Sequence, residues 1–302
     1  MGSCIAFHSY KGGTGKTTLS TNIAVLLAKK GYNVTLIDLD VYAPSLFSYF
    51  AGKISKLPNK WLNDYLLGSC QIDDFLIDIT STIRNHDINK EIAGKLHVGF
   101  SSPSTEYIIK MDQLQTIKAK AISRFVSLKD QLIIDKSADY VIFDTSPGLR
   151  FFAINAIAIT DIVLLVLKMG DMDIAGTRTI VTDIIEPFRT EGTDAFLLLN
   201  RVKGYCIPDV LTTIVDNDNE NNPHRHLTMV PDPEQINMSD LEKYLKEETT
   251  LDLLRSVPCY CDIQFSKREF LTSLTYPNHP FTAEMNNIII GLENKINEKS
   301  RQ

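Results

Sequence analysis

Short apolar runs alternate along this chain with longer segments whose apolar positions recur at helical spacing. Residues 3–7 form the first run, and residues 17–30 then continue with an amphipathic helical pattern. Several runs are apolar without alternation, which is typical of strands buried on both faces of a parallel sheet. The predicted strands are 4–8, 34–39, 96–100, 140–144, 162–167, 196–200 and 257–260.

Repeated alternation of strands and helices predicts an α/β fold, with a mostly parallel, doubly wound sheet and helices on both faces. Ligands of such sheets bind outside the carboxyl ends of the strands, where the polar residues that follow these runs are expected to meet. Near the C-terminus, Met285, Ile288, Leu292 and Ile296 share one stripe. This stripe predicts a helix at about 282–299 that packs onto the body of the protein.

Length and composition favour a single domain, with insertions, over residues 1–302. The chain is 44% hydrophobic, which is ample for a buried sheet, and it contains no run of eighteen apolar residues. We therefore expect no membrane-spanning segment. Its five cysteines are scattered and odd in number, which indicates a reducing cytosol rather than a disulfide framework. A cytoplasmic protein is expected, with peripheral attachment to the nucleoid or a membrane left open.

The candidate chemistry begins with residues 11–18, which read KGGTGKTT directly between the first strand and the first helix. This is a phosphate-binding loop: backbone N–H groups cradle phosphates, the lysine reaches the β and γ oxygens, and the threonine hydroxyl binds Mg²⁺. The helix N-terminus behind the loop adds a favourable dipole. The general pattern begins with a glycine, and Tyr10 holds that place here. The predicted nucleotide-binding residues are Gly12, Gly13, Thr14, Gly15, Lys16, Thr17 and Thr18.

With Lys11 and Lys16 five residues apart, the loop resembles the deviant Walker A motif, K-G-G-x-G-K-T-[ST], of the MinD/ParA family of SIMIBI-class P-loop ATPases. Three further segments resemble the family: VTLIDLD at 34–40, DYVIFDTSPG at 139–148 and LLLNR at 197–201. The resemblance extends from about residue 3 to the C-terminus, and is weakest over roughly 75–135 and 203–256. It implies an ATPase with a P-loop fold that binds ATP and Mg²⁺.

The resemblance also assigns roles to three carboxylates beside the loop. Asp144, at the end of a strand, is expected to hold Mg²⁺ together with Thr17, and Asp38 is expected near the metal's hydration shell. Asp40 is the candidate that orients the attacking water, and Lys16 neutralises phosphate charge during hydrolysis. A cap of the following turn is the structural alternative for Asp40.

In this family the lysine at the position of Lys11 crosses to the other protomer, where it contacts phosphate. The resemblance therefore implies a homodimer formed on ATP binding, with slow hydrolysis that a protein partner stimulates. A role for Lys11 within its own loop is the alternative. Asn200 is expected to contact adenine through its side-chain amide, with Arg201 nearby.

The cellular process that such an ATPase would drive stays open on the sequence alone. A ParA-like role requires a DNA-binding surface, yet the formal net charge is −6. The basic residues of one predicted helical region are the candidate patch. A MinD-like role requires a membrane-binding terminal helix, which the mixed charges of the C-terminal helix do not favour. The basic residues of the candidate DNA-binding patch are Lys110, Lys118, Lys120, Arg124 and Lys129.

Two other functions are compatible with the motifs. Residues 40–45, DVYAPS, resemble a stretch of the Mrp-type iron–sulfur carriers. The only candidate thiolate ligands for such a cluster in this sequence are Cys259 and Cys261. An ATP-dependent regulatory adaptor of a surface or motility machine is the other alternative. Residues at about 205–255 depart from the compact pattern of the MinD/ParA family that the chain resembles, and we expect this insertion to contact a protein partner.

Overall fold

The computed structural model describes residues 2–50, 54, 58–84, 94–114, 118–202, 238–264, 266 and 271–301. Eight strands in these ranges form one sheet, in the spatial order β3-β4-β2-β5-β1-β6-β7-β8. All neighbouring pairs are parallel except β3 and β4. The predicted α/β fold is therefore confirmed. The strands are β1 (Ser3–His8), β2 (Asn33–Leu39), β3 (Leu76–Asp78), β4 (Lys95–Gly99), β5 (Tyr140–Thr145), β6 (Ile162–Leu167), β7 (Asp194–Val202) and β8 (Leu253–Pro258).

Helices cover both faces of the sheet. Neighbouring residues of β1 point into different clusters, with Ile5 and Phe7 in one and Cys4 and Ala6 in the other. The helices are α1 (Lys16–Lys29), α2 (Leu46–Phe50), α3 (Leu62–Leu67), α4 (Ile72–Phe75), α5 (Thr80–Arg84), α6 (Thr105–Leu114), α7 (Lys118–Asp130), α8 (Phe151–Ile159), α9 (Asp171–Ile180), α10 (Glu186–Arg189), α11 (Met238–Thr249), α12 (Cys261–Gln264), α13 (Thr272–Thr275) and α14 (Pro280–Lys299); π-helical turns at Gln131–Asp135 and Val181–Ile185 continue α7 and α9.

The sheet differs from the expectation at its two edges. Strand β3 was not predicted, because three residues at an antiparallel edge are too short to show a periodic pattern. Strand β8 begins at Leu253 rather than 257, and α11 packs against α9. The expected insertion at about 205–255 thus contains elements of the core from Met238 onward, and its residues 205–237 lie outside the described residues.

The C-terminal helix α14 packs its apolar stripe against the body of the protein. Met285, Ile288, Ile289 and Leu292 are buried, and the helix contacts both α1 and β8. This packing is the one expected from the stripe, and it takes up the surface that a membrane-binding helix would need. Among the described helices none has the length and apolar character that crossing a membrane requires.

Candidate nucleotide site

The loop between β1 and α1 depends on two glycines with left-handed backbone conformations. Gly13 has φ 73°, and Gly15, which caps α1, has φ 97°. A β-carbon at Gly15 would also lie 2.3 Å from Nδ2 of Asn200. The loop therefore turns sharply enough to aim its amides toward the space outside the strand ends, as a phosphate site requires.

A cavity of about 430 Å³ lies against this loop. It brings together predicted residues from four separate parts of the sequence: the loop, α1, the segment after β2 and the end of β7. The wall also includes Tyr42, Ser45, Ser146 and Arg150, which were not predicted. The predicted residues that line it are Gly12, Gly13, Gly15, Lys16, Thr17, Thr18, Asp40 and Arg201.

The Lys16 side chain is buried and is held by a serine that precedes the loop. Its Nζ donates to Oγ of Ser9 over 2.8 Å, and the Ser9 hydroxyl donates to the Lys11 carbonyl oxygen over 2.6 Å. The Ser9 carbonyl oxygen accepts from the N–H of Gly148, 2.8 Å away. Burial lowers the pKa of Lys16, and the charges of Asp144 and Asp40 oppose this shift. Ser9 thus connects both lysines of the motif to the segment after β5, and no sequence motif identified it.

Lys11 is half-buried and does not line the cavity of its own chain. Its carbonyl oxygen is fixed by Ser9, but its side chain does not contribute to the phosphate-facing wall. Lys11 therefore lies outside the wall of this cavity in its own subunit.

Asp144 lies in β5 directly opposite Asp38 in β2. The carboxyl group of Asp144 is fully buried, and its Oδ1 has no hydrogen-bond partner. Burial raises the pKa of Asp144 to about 6, while the charge of Lys16 and a hydrogen bond from Thr17 act in the opposite direction. A buried carboxylate oxygen without a partner, beside a threonine hydroxyl, fits the oxygen ligands that Mg²⁺ prefers. Thr17 and Asp144 are therefore the residues that would hold the metal.

Asp38 uses both carboxylate oxygens to fix the backbone of the segment after β2. Its Oδ1 accepts from the N–H of Asp40 over 3.1 Å, and its Oδ2 accepts from the N–H of Leu46 over 3.3 Å. Burial, together with the charges of Asp144 and Asp40, raises its pKa well above the usual range. Asp38 does not line the cavity. Its expected place near the metal stays a prediction, and the structure gives it a role in shaping the loop that carries Asp40.

Asp40 faces the cavity and also fixes the turn that follows it. Its Oδ1 accepts from the N–H of Ala43 over 3.2 Å, which is the contact that a structural cap would make. Burial raises its pKa, while hydrogen bonds from the turn and the positive charges of Lys16 and Arg150 oppose the shift. A carboxylate with a raised pKa in a cavity is suited to orient a water molecule and accept its proton.

The Asn200 side chain is engaged by the phosphate loop. Its Nδ2 donates to the Thr14 carbonyl oxygen over 2.7 Å, and its Oδ1 accepts from the N–H of Arg201 over 2.9 Å. Arg201 has a left-handed backbone, with φ 60°, and its Nη1 donates to the Gly13 carbonyl oxygen over 3.2 Å. Both residues line a second cavity, beside α1, that the sequence did not predict; it also includes Gly15, Thr18, Leu19, Pro258, Tyr260, Ile263, Gln264 and Phe281.

This second cavity lies next to the phosphate loop and shares Gly15, Thr18 and Arg201 with the first. Its aromatic and polar lining suits a nucleobase. Because the amide of Asn200 already pairs with backbone groups, the Tyr260 ring and the Gln264 side chain are additional candidates for base contacts. They were missed because they follow the last strand in a segment without a motif.

Three of the basic residues proposed as a DNA patch contact other side chains of this chain. Lys110 forms an ion pair with Glu106 on α6, and Lys129 forms one with Asp161, 2.9 Å away. Arg124 lies over the ring of Tyr65. Lys118 and Lys120 belong to α7, but their side chains lie outside the described residues.

The two cysteines considered as cluster ligands are not equivalent. Cys261 is disulfide-bonded, so it offers no thiolate and departs from the expectation of free thiols. Cys259 keeps its thiol, which donates to Oε1 of Gln264 over 3.1 Å. Across the part of the chain that the structure describes, no group of three or more His, Cys, Asp or Glu side chains is arranged to hold a metal ion.

Comparison with known proteins agrees with this geometry. A family model described as an AAA domain (AAA_31) matches residues 2–194, which include the phosphate loop, Asp40 and Asp144. The sporulation initiation inhibitor protein Soj of Bacillus subtilis is 29% identical over 166 residues, and the septum site-determining protein MinD of Thermotoga maritima is 24% identical over 238 residues. The chain belongs to the MinD/ParA family of P-loop ATPases.

The matched lengths of these MinD/ParA relatives differ. The match to MinD covers 78% of both chains, and the match to Soj covers 55% of this chain and 58% of Soj. An uncharacterized protein of Methanocaldococcus jannaschii is 24% identical over 183 residues, which is 60% of this chain and 65% of that protein. This chain therefore spans less than two thirds of the length of two of these relatives.

Solved structures show the same fold at low sequence identity. MinD of Pyrococcus horikoshii, complexed with Mg-ADP, has a TM-score of 0.66 and is 18% identical over 99% of each chain. A Cyanothece McdA variant in complex with ATP has a TM-score of 0.63 and 16% identity, over 97% of this chain and 96% of McdA. A short segment also resembles an iron–sulfur cluster carrier protein of Aquifex aeolicus, with 51% identity over 49 residues, 16% of this chain and 14% of the carrier.

Proposed function

We propose that this protein is an ATP-hydrolysing switch that dimerises around ATP and Mg²⁺ and acts in intracellular positioning or partitioning. One observation carries the proposal: the cavity of about 430 Å³ joins the phosphate loop to the Asp40 carboxylate. Phosphate-binding groups and a candidate water-orienting acid therefore face the same space. Two relatives support the assignment to positioning: the sporulation initiation inhibitor protein Soj and the septum site-determining protein MinD.

Hydrolysis requires neutralisation of charge on the γ-phosphate and a water placed in line with the leaving oxygen. Lys16, the phosphate loop and Asp40 line the same cavity, and the charge of Lys16 acts on the Asp40 carboxylate, which can hold a water there. Mg²⁺, when bound, would neutralise phosphate oxygens and lower the barrier to displacement. Thr17 and Asp144 would hold it, as the buried and unpartnered Oδ1 of Asp144 indicates.

Dimerisation is supported by Lys11, whose side chain does not line the cavity of its own chain. Four exposed apolar side chains follow the carboxyl ends of β1, β5 and β6, at the edge of the sheet where the cavity lies. A second copy placed on this edge would cover them and bring its own Lys11 to the phosphates. The exposed apolar residues are Tyr10, Leu149, Met169 and Met172.

We propose that the switch controls the binding of a protein partner, and that this partner stimulates hydrolysis. DNA is less well supported, because Lys110, Arg124 and Lys129 are each engaged within the chain. A membrane is less well supported as well, because α14 buries its apolar stripe. The iron–sulfur carrier is the weakest alternative, since Cys261 is disulfide-bonded and the match to that carrier covers only 16% of this chain.

The proposal is tested with the Asp40→Ala protein in Mg-ATP. We expect it to bind ATP as the wild type does, to release phosphate about 100-fold more slowly because the water is no longer oriented, and to remain a dimer. Phosphate release measures the rate of hydrolysis, and light scattering measures the mass of the dimer. Co-sedimentation with DNA at low and physiological salt then tests the partitioning role, since DNA binding by phosphate contacts weakens with salt.

Asp183→Ala is the matched control, because this carboxylate is exposed and lies away from the cavity. It should hydrolyse ATP at the wild-type rate. A wild-type protein that neither hydrolysed ATP nor changed its mass on adding Mg-ATP would contradict the proposed function. A dimer that did not bind DNA would favour the protein partner instead.

A further inference from the structure

Arg150 occupies a wall of the phosphate cavity that the P-loop does not supply. It lies two residues after Gly148, whose backbone is left-handed with φ 74°, and it precedes α8 in an extended conformation. Its side chain is exposed and lines the cavity together with Lys16 and Asp40. Arg150 therefore belongs to the segment after β5, which also carries Asp144.

The Arg150 guanidinium connects two segments that flank the cavity. It lies 4.8 Å from the centre of the Tyr42 ring, within the range of an attractive cation–π contact. Tyr42 belongs to the loop that begins with Asp40, so this contact ties the segment after β5 to the segment after β2. The positive charge of Arg150 also acts on Asp40, whose pKa it lowers against the effect of burial.

Of the described residues, three cationic side chains and one carboxylate, Asp40, line the cavity. Two of the cations are fixed from the loop side: Lys16 is hydrogen-bonded to Ser9, and Arg201 is hydrogen-bonded to the Gly13 carbonyl oxygen. Arg150 instead belongs to the segment after β5 and contacts Tyr42, in the loop that begins with Asp40. A cation–π contact made by an exposed guanidinium is weak, about 0.5–1 kcal/mol. A phosphate group can therefore draw the guanidinium away from Tyr42 without breaking a strong bond.

We propose that Arg150 is a catalytic residue that contacts the γ-phosphate of ATP bound to its own chain. This inference rests on the proposed function and deepens it, because it assigns a second cation at the reacting phosphate. In the step itself, the water oxygen bonds to the γ-phosphorus while the bond from phosphorus to the bridging oxygen breaks. The bond's electron pair remains on ADP, and Asp40 accepts a proton from the water.

A guanidinium fits this position because its planar fork can bind two phosphate oxygens at once. Charge builds on the γ-phosphate as the bond to ADP breaks, so a cation placed there stabilises the transition state more than the bound ATP. A diphosphate lacks the group that Arg150 contacts. Arg150 therefore affects turnover of ATP and leaves the affinity for ADP nearly unchanged.

The assignment also predicts hydrolysis that does not require a partner subunit. A lysine supplied in trans acts only in a dimer, whereas Arg150 acts in every chain that has ATP bound. A monomer then keeps slow basal turnover, and dimerisation adds the contribution of Lys11.

The test compares Arg150→Ala and Arg150→Lys with the wild type, at saturating Mg-ATP and at a concentration where the protein is monomeric. Arg150→Ala should lower single-turnover phosphate release about 100-fold, as the loss of one transition-state donor does. Arg150→Lys should recover part of this loss, since it restores the charge without the fork. The Kd for Mg-ADP should stay within about twofold, because the diphosphate does not meet Arg150.

Arg189→Ala is the control, because Arg189 is exposed and pairs only with Glu186 on its own helix. It should turn over ATP at the wild-type rate. A wild-type rate in Arg150→Ala would overturn the inference and leave the proposed function intact. Equal losses in ATP turnover and in Mg-ADP affinity would also overturn it, since Arg150 would then be a general binding residue. Absence of hydrolysis by the wild type would overturn the proposed function and the inference together.

Discussion

At the residue scale, the site brings together two buried carboxyl groups, Asp38 and Asp144, and a partly buried one, Asp40. Asp38 and Asp144 are opposite each other on neighbouring strands, and Asp40 lies two residues beyond Asp38. Burial raises the pKa of all three, and the like charges of Asp144 and Asp40 raise the pKa of Asp38 further. The charge of Lys16 opposes this shift at Asp40 and Asp144. A site of this kind stores unfavourable charge that a bound cation can relieve.

The clearest consequence concerns Asp144. Its pKa is about 6 in the folded protein, against about 3.9 in an unfolded chain. The folded state binds this proton more tightly, so the contribution of Asp144 to stability is present below about pH 4 and is lost as the pH rises through 6. Relative to wild type, Asp144→Asn should therefore become more stable between pH 4 and pH 7, by up to about 3 kcal/mol. Urea unfolding of both proteins without nucleotide measures this difference.

Taking the difference between the two proteins removes the opposing contribution of His8, whose pKa burial lowers to about 3. Asp183→Asn serves as the control, and its difference from wild type should not change over this pH range. A pH-independent difference for Asp144→Asn would show that the carboxyl group is not buried in solution. With Mg-ATP present the order should reverse, because the metal binds only the ionised carboxylate.

The motif residues were predictable from the sequence because their spacing reflects direct chemistry with a nucleotide. Lys16, Thr17 and Asp40 lie on the cavity, and Asp144 is buried beside them, as a strand–loop–helix pattern requires. Ser9 and Arg150 were not predictable, because their roles depend on hydrogen bonds and ring contacts between distant segments. Periodicity and spacing carry no information about such contacts.

At the element scale, the phosphate loop packs against α9. Tyr10 stands where the general motif has its first glycine, and its ring lies on the backbone of Gly176 in α9. A β-carbon at Gly176 would lie 2.0 Å from Cδ1 of Tyr10. The helix therefore supports the start of the loop through a side chain that most phosphate loops do not have, and Gly176 provides the space for it.

Gly176→Ala tests this packing. Within a helix, replacing glycine by alanine normally stabilises by about 0.5–1 kcal/mol. Here we expect the free energy of unfolding to fall by about 1–3 kcal/mol, the usual cost of overpacking. Adding Tyr10→Ala removes the clash, so Gly176→Ala should be stabilising in that background. Denaturation of the four proteins measures both effects, and a stabilising Gly176→Ala in the wild-type background would contradict the packing.

The strands that are most completely buried were the ones predicted best from the sequence. Strands β5 and β6 are buried along their whole length, and both were identified from continuous apolar runs. Strand β3 was missed, and β8 was placed too late, because both lie at edges of the sheet and are partly exposed. Edge strands have fewer buried positions, so their composition differs little from that of loops.

At the scale of the whole molecule, the cavity lies at the carboxyl edge of the sheet, beside exposed apolar residues that follow β1, β5 and β6. Lys11 is part of this surface and does not face its own cavity. A two-fold dimer across this edge would place each Lys11 at the site of the other subunit. The sequence predicted this arrangement only through a family resemblance, since no pattern within one chain specifies a contact between two.

The dimer makes a prediction that a single chain cannot mimic. Lys11→Ala keeps Asp40 but lacks the donated lysine, whereas Asp40→Ala keeps the lysine but lacks the acid, so each protein alone should turn over slowly. Mixed in equal amounts, half of the dimers are heterodimers with one complete site, and activity should rise to about a quarter of the wild-type rate. Phosphate release is measured after subunit exchange, and light scattering establishes that the mixture is dimeric in Mg-ATP. If Lys11 acts within its own subunit, the dimeric mixture will be no faster than the average of its components, because neither kind of chain then contains a complete site.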